Sequence, residues 1–107
     1  MQFLYKLKLI PELLDEANWT DKENNMVYEH FKVLQELLKE NKLIMAGKTD
    51  NLDETTFGIV ILQVDSEEAA RTIMENDPTV KGGIMTAQLY PYRVALYNEN
   101  FSVGSGK

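Results

Sequence analysis

The 107-residue chain contains no cysteine, which excludes disulfides, thiol catalysis and thiolate metal sites and suits a cytoplasmic protein. It has a single histidine, His30, so a metal centre would have to be built almost wholly from carboxylates. No calcium-loop pattern is present, and no metal is expected. Nor does any segment approach the roughly 18 consecutive apolar residues of a membrane span. The apolar opening "MQFLYKLKLIPELL" is broken by Lys6 and Lys8 and lacks a small-residue cleavage site, so no export signal is expected. Basic clusters are also missing. With 11 Lys and Arg against 17 Asp and Glu the net charge is −6, which argues against a nucleic-acid backbone as partner, because phosphate binding needs clustered cations. The short "KGG" and "GSGK" stretches lack the strand and helix context of a phosphate-binding loop, and no serine nucleophile motif occurs. Neither membrane, nucleic acid nor cofactor is implied.

What is present reads as one domain, residues 1–97, with a small polar tail, 98–107, expected to be mobile. In "QFLYKLKLI" Phe3, Tyr5, Leu7 and Leu9 share one face and Lys6 and Lys8 the other, which predicts a strand over 2–10. Pro11 closes it, and the polar stretch to Asn18 reads as a loop. Thr20 and Glu23 form a capping-box pair. Met26, Val27, His30, Phe31, Leu34, Leu37 and Leu38 then recur at helical spacing, predicting a helix from there to about Asn41. A second strand over 42–48 and a turn-rich connector precede a third strand, "TFGIVILQV" (56–64), which is apolar on both faces. Asp65 and Ser66 cap a second helix with Ala69, Ala70, Ile73 and Met74 as its stripe. Pro78 ends that helix near Asp77. A last strand starts near Ile84, is interrupted by Pro91, and resumes an extended pattern in "YRVALY".

The order is βαββαβ, an α+β, ferredoxin-like (split-βαβ) sandwich with two helices on one face of an antiparallel sheet. Two helices cover only one face, whereas strand three is apolar on both. The expected cover for the second face is another copy of the chain, giving a homodimer with sheets packed face to face as a dimeric α/β barrel.

His30 lies in the apolar stripe of the first helix, and Asp77 stands three residues after Met74 on the second. In this fold both helices lie on the same side of the sheet, so the two can meet. A carboxylate there would orient the imidazole and fix its tautomer for acid–base work. It would also explain an anion at a helix C-terminus, where the partial charge is negative. Each residue has a plainer reading: His30 as a hydrogen-bonded boundary residue, and Asp77 with Pro78 as the N-cap and first residue of a short helical turn. Arg93 is a weak candidate for binding a substrate carboxylate, its plainer role being a solvated strand residue. Tyr5, Tyr90 and Tyr92 line a pocket or simply pack.

Two long stretches, "YEHFKVLQELLKENKLIMAG" and "FGIVILQVDSEEAARTIMENDPTVKGGIMTAQLYPYRVAL", resemble the YciI-like (YCII-related) family from about Phe3 to Leu96. The helix histidine, "VDSEEAA" and "ENDP" are its most specific pieces. The resemblance implies a dimeric α/β barrel with a histidine–aspartate active-site pair, here His30 and Asp77. It also implies cofactor-independent lyase, dehydrochlorinase or isomerase chemistry on a small aromatic or carboxylic compound. Two positions depart from the family pattern. Lys48 replaces a common proline after the strand-two glycine, and Leu34 replaces an aromatic residue a turn after the histidine. Both would border the pocket. The alternative is a non-catalytic small-ligand-binding or structural homodimer.

Overall fold

The computed structural model describes residues 1–101. Its strands are β1 (Gln2–Leu9), β2 (Leu43–Lys48), β3 (Gly58–Gln63) and β4 (Met85–Pro91), and its helices α1 (Asp21–Lys39), α2 (Glu67–Glu75) and α3 (Pro78–Lys81). All strand pairs are antiparallel, and the spatial order β2-β3-β1-β4 is that of the ferredoxin-like fold. The part of the expected tail from residue 102 onward lies outside the described residues.

The period-two pattern of β1 is what puts its aromatics under the helices. Phe3, Tyr5 and Leu7 are all buried and stand opposite Leu62, Val60 and Gly58 of β3. Leu34 and Leu37 of α1 and Ala70 and Met74 of α2 complete this core. Full burial of residues such as Leu62 and Val60 contributes about 1.5–3 kcal/mol each. On the opposite face β1 and β3 present Leu4, Lys6, Ile59 and Ile61. No helix of the described residues is long and apolar enough to cross a membrane.

Local signals place the helix ends. The Glu23 carboxylate accepts from the Thr20 backbone N–H at 2.8 Å and from the Thr20 hydroxyl, closing the expected capping box. Asn41 adopts a left-handed φ of 61°, the Asn41 N–H donates to Leu38 O, and the Lys42 N–H reaches back to Leu37 O at 2.9 Å. This is a Schellman ending. Ser66 caps α2 by accepting from the Ala69 N–H at 3.0 Å.

Four expectations change. Residues 11–18 are not an open loop but two 3-10 turns, Pro11–Leu14 and Glu16–Asn18, with Leu13 buried. Proline at the first helical position and the Asp15 carboxylate accepting from the Ala17 N–H make each turn locally favourable. Phe31 and Leu38 lie outside the buried face of α1, at 58 % and 56 % exposure, because a 3.6-residue period carries the edges of a wide apolar stripe past the contact line. The second helix stops at Glu75, and Asp77 caps a separate helix, α3. Finally, "YRVALY" forms no strand. The Tyr92 N–H still bonds Gln2 O, but β1 begins at Gln2, so the departing chain has no further strand residues to pair with.

Candidate active site

Four elements meet at Asp77. It follows α2 after Asn76, caps α3, and bonds His30 of α1 and Tyr5 of β1. Gly82 stands where α3 ends beside α1. A methyl group there would lie 2.8 Å from the Pro78 backbone carbonyl and 2.5 Å from Met26 Sδ, the end of a flexible α1 side chain, so any larger residue would force a local shift. Gly83, at φ +80°, then turns the chain into β4.

His30 Nδ1 stands 2.7 and 2.8 Å from the two Asp77 carboxylate oxygens. The same carboxylate accepts from the Tyr5 hydroxyl at 2.7 Å, from the Thr79 hydroxyl at 2.7 Å and from the Thr79 N–H at 3.0 Å. Asp77 is 1 % exposed, Tyr5 and Thr79 0 %, and the His30 side chain 14 %. Burial by itself would raise the carboxyl pKa. The hydrogen bond and charge of His30, with the donors from Thr79 and Tyr5, outweigh it and hold the pKa below the ordinary carboxylate value. Asp77 is therefore an anion at neutral pH and can only accept, which requires the proton on His30 Nδ1 in the neutral imidazole. Nε2 then carries the lone pair and has no protein partner among the described residues. Tyr5 is fixed in its protonated form: burial, then the Asp77 charge and hydrogen bond, push its pKa far up.

His30 forms part of the wall of a cavity of about 420 Å³ between α1, the sheet and the 49–57 connector. Val27, Phe31 and Leu34 of α1 form its roof, Leu7 and Val60 its floor, and Trp19 one side. The 3-10 turns set the Trp19 ring, whose Nε1–H donates to Leu13 O at 2.8 Å. The connector is held by its own side chains, Thr56 Oγ1 donating to Asn51 O at 2.8 Å and accepting from the Asp53 N–H at 2.9 Å. Lys48 and Leu34, both expected to border the pocket, do line the cavity.

Arg93 is not brought here. The cavity lies at the Leu9–Met85 end of the β1–β4 ladder, and Arg93 follows the opposite end as an exposed residue. Tyr90 and Tyr92 are also exposed and stay outside the cavity wall. Of the three tyrosines considered, Tyr5 alone reaches the histidine–aspartate pair, and sequence reasoning missed its role. Its position on the buried face of β1 was the available signal. Thr79 was missed too, although its N–H is the one an Asp-Pro N-cap satisfies. Asp77 is the N-cap of α3 and not the last residue of the second helix, and the same carboxylate bonds His30. No cluster of three or more metal-ligating side chains occurs among the described residues.

The sequence profile of the YCII-related domain matches residues 1–93. The chain belongs to the YCII-related domain family. Eleven chains of solved structures also match. One of them is the 5-chloro-2-hydroxyhydroquinone dehydrochlorinase TftG from Burkholderia phenoliruptrix AC1100, in complex with 2,5-dihydroxybenzoquinone. It is 22% identical with a TM-score of 0.66, over 87% of this chain and 94% of that chain, a likeness that establishes the shared fold. Among curated proteins none matches significantly.

Proposed function

We propose that this YCII-related protein is a small-molecule enzyme that works without a cofactor. His30 Nε2 moves the proton and Asp77 positions the ring, in an elimination or isomerisation of the lyase, dehydrochlorinase or isomerase kind. One observation carries the reading: a buried carboxylate with four donors holds one imidazole nitrogen, while the same ring lines an apolar cavity. The mostly apolar wall suits a ring compound and would shield a transferred proton from part of the solvent. The complexed, fold-related dehydrochlorinase supports a small ring compound as ligand. The test is turnover of substituted dihydroxybenzenes and lactones by wild type and by a folded His30→Gln protein. Equal rates on every compound that wild type converts would remove the proposal.

The second reading, a non-catalytic ligand-binding or structural homodimer, is favoured by Asp77's role as the α3 cap, which needs no chemistry. It predicts that His30 and Asp77 variants lose stability without losing ligand affinity.

Both readings include a homodimer. The sheet face away from the helices carries Leu4, Ile59, Ile61 and Met45, of which Ile61 is buried and Met45 is 49 % exposed, and no helix of the described residues packs on it. A second copy related by a two-fold axis would cover like with like. Sedimentation at micromolar concentration is expected to give twice the chain mass, and Met45→Glu to shift it toward one. A wild-type monomer under those conditions would refute the assembly.

A further inference from the structure

The cavity wall has an uneven charge. Although acidic residues outnumber basic ones 17 to 11 in the chain, among the described residues no carboxylate lines the cavity and Lys48 is the one lysine or arginine that does. Lys48 is without a salt-bridge partner among the described residues, whereas Lys32, Lys39 and Lys42 each lie near a glutamate. It ends β2 opposite Gly58, and Gly58 in turn lies opposite Leu7 on the helix-facing side. Gly58 is the first residue of β3, where a glycine gives up the side-chain packing that another residue would offer. Here a Cβ would meet only ordinary contacts, 3.4 Å from Gly47 O and 3.7 Å from Lys48 Cβ. Neither backbone strain nor crowding demands glycine at this position. Its effect is to leave open space beside the lysine.

We infer that Lys48 is the specificity residue of the cavity, ion-pairing with the carboxylate or phenolate of a single-ring monoanion whose ring lies over Gly58. The inference rests on the reading of the cavity as a ligand site and adds the charge class. One cation matches one negative charge. The absence of wall carboxylates spares that anion the repulsion an acidic protein would otherwise present, and about 420 Å³ lies at the small end of the range for ligand sites, in keeping with one ring. The ammonium holds one end of the compound while the apolar walls take up the ring.

Calorimetric titration of the full chain at low salt tests this with two pairs of probes: benzoate against benzamide, and 4-nitrophenolate against nitrobenzene. Wild type is expected to bind the anion of at least one pair about tenfold more tightly than its neutral analogue, the effect of one charge-assisted hydrogen bond. Which pair shows it tells carboxylate from phenolate. Lys48→Met should bring that ratio close to one while leaving the neutral analogue's affinity unchanged, and Gly58→Leu should exclude all four probes. Gly58→Ala, which keeps the observed contacts, serves if the leucine variant has an altered circular dichroism spectrum, and should weaken every probe. No anion preference in wild type, a preference that survives Lys48→Met, or no binding at all would each overturn the assignment. If neutral probes bind and Gly58→Leu excludes them, the ligand site stands and only the charge assignment fails. If the Gly58 variants bind as wild type does, the probes lie elsewhere and the ligand-site reading fails with it.

Discussion

Asp77→Leu is expected to lower folding stability by about 3–5 kcal/mol at neutral pH, the scale of removing a buried charge and leaving its hydrogen-bond donors without an acceptor. Leucine has the same branched skeleton with methyl groups in place of the smaller oxygens, so the loss would not come from an empty space. The Tyr5 hydroxyl, the Thr79 hydroxyl and N–H, and His30 Nδ1 all point at this carboxylate. Three of those four donors belong to residues that are fully buried. Without their acceptor each carries a desolvation cost of about 1–3 kcal/mol, reduced by local rearrangement. Asp77→Asn keeps the shape but offers one acceptor oxygen and sets an amide N–H₂ against donors, so an intermediate loss of about 2 kcal/mol is expected. Urea unfolding of the three proteins at pH 7 measures both. A midpoint for Asp77→Leu within experimental error of wild type would show that the cluster is not a stabilising centre.

The same carboxylate gives the fold an acid dependence. Its folded-state pKa is depressed relative to about 3.9 in an unfolded chain. Its stabilisation is therefore complete above the unfolded value. It declines once the unfolded chain begins to protonate, and is gone when pH has fallen through the lower, folded value. Wild type should lose stability in that acidic window more steeply than Asp77→Asn, which has no proton to gain there. Parallel curves for the two proteins between pH 5 and 2, on the order of that window, would contradict the depressed pKa.

The second large effect concerns turnover. If His30 is the general acid–base group, His30→Gln should reduce kcat by about 10²–10⁴-fold on any compound that wild type converts. Glutamine retains hydrogen bonding at similar reach without the ability to exchange a proton near neutral pH. Its variant therefore separates proton transfer from packing. Asp77→Asn should also reduce kcat, by about 10²-fold or more, because an amide no longer dictates which ring nitrogen holds the proton. As a positioning residue Asp77 acts through His30, so its loss should leave KM close to wild type and add little once His30 is already replaced. A double variant whose kcat falls by the product of the two single losses would show that the residues act independently.

How much of this arrangement is visible along the chain differs by residue. The capping box at Thr20, the alternation of β1 and the N-cap character of Asp77 each depend on neighbours within a few positions, and all three were legible. The Schellman ending at Asn41 is local as well, but its mark is a backbone angle, not a side-chain pattern, so only the approximate end of α1 could be read. Tyr5 was assigned to the buried face correctly, yet nothing near it in the chain indicates that its hydroxyl meets a carboxylate 72 residues away. Arg93 looked like a possible anion ligand because arginine chemistry is local, whereas its position at the far end of the β1–β4 ladder comes from strand register. Gly82 gives no sequence hint beyond being a turn glycine. Its contact with Met26 exists only once α3 lies against α1.

The amino-acid order by itself determined the βαββαβ succession, the one-sided helix cover and the candidate pair, because hydrophobic period, caps and proline act over one or two turns of chain. Tertiary structure decided that His30 and Asp77, 47 residues apart, are within hydrogen-bond distance, that Tyr5 and Thr79 complete the carboxylate's shell, and that Lys48 and Gly58 open onto the same hollow as the imidazole. Those outcomes depend on strand order and helix packing, which bring distant segments together through contacts that no local pattern encodes.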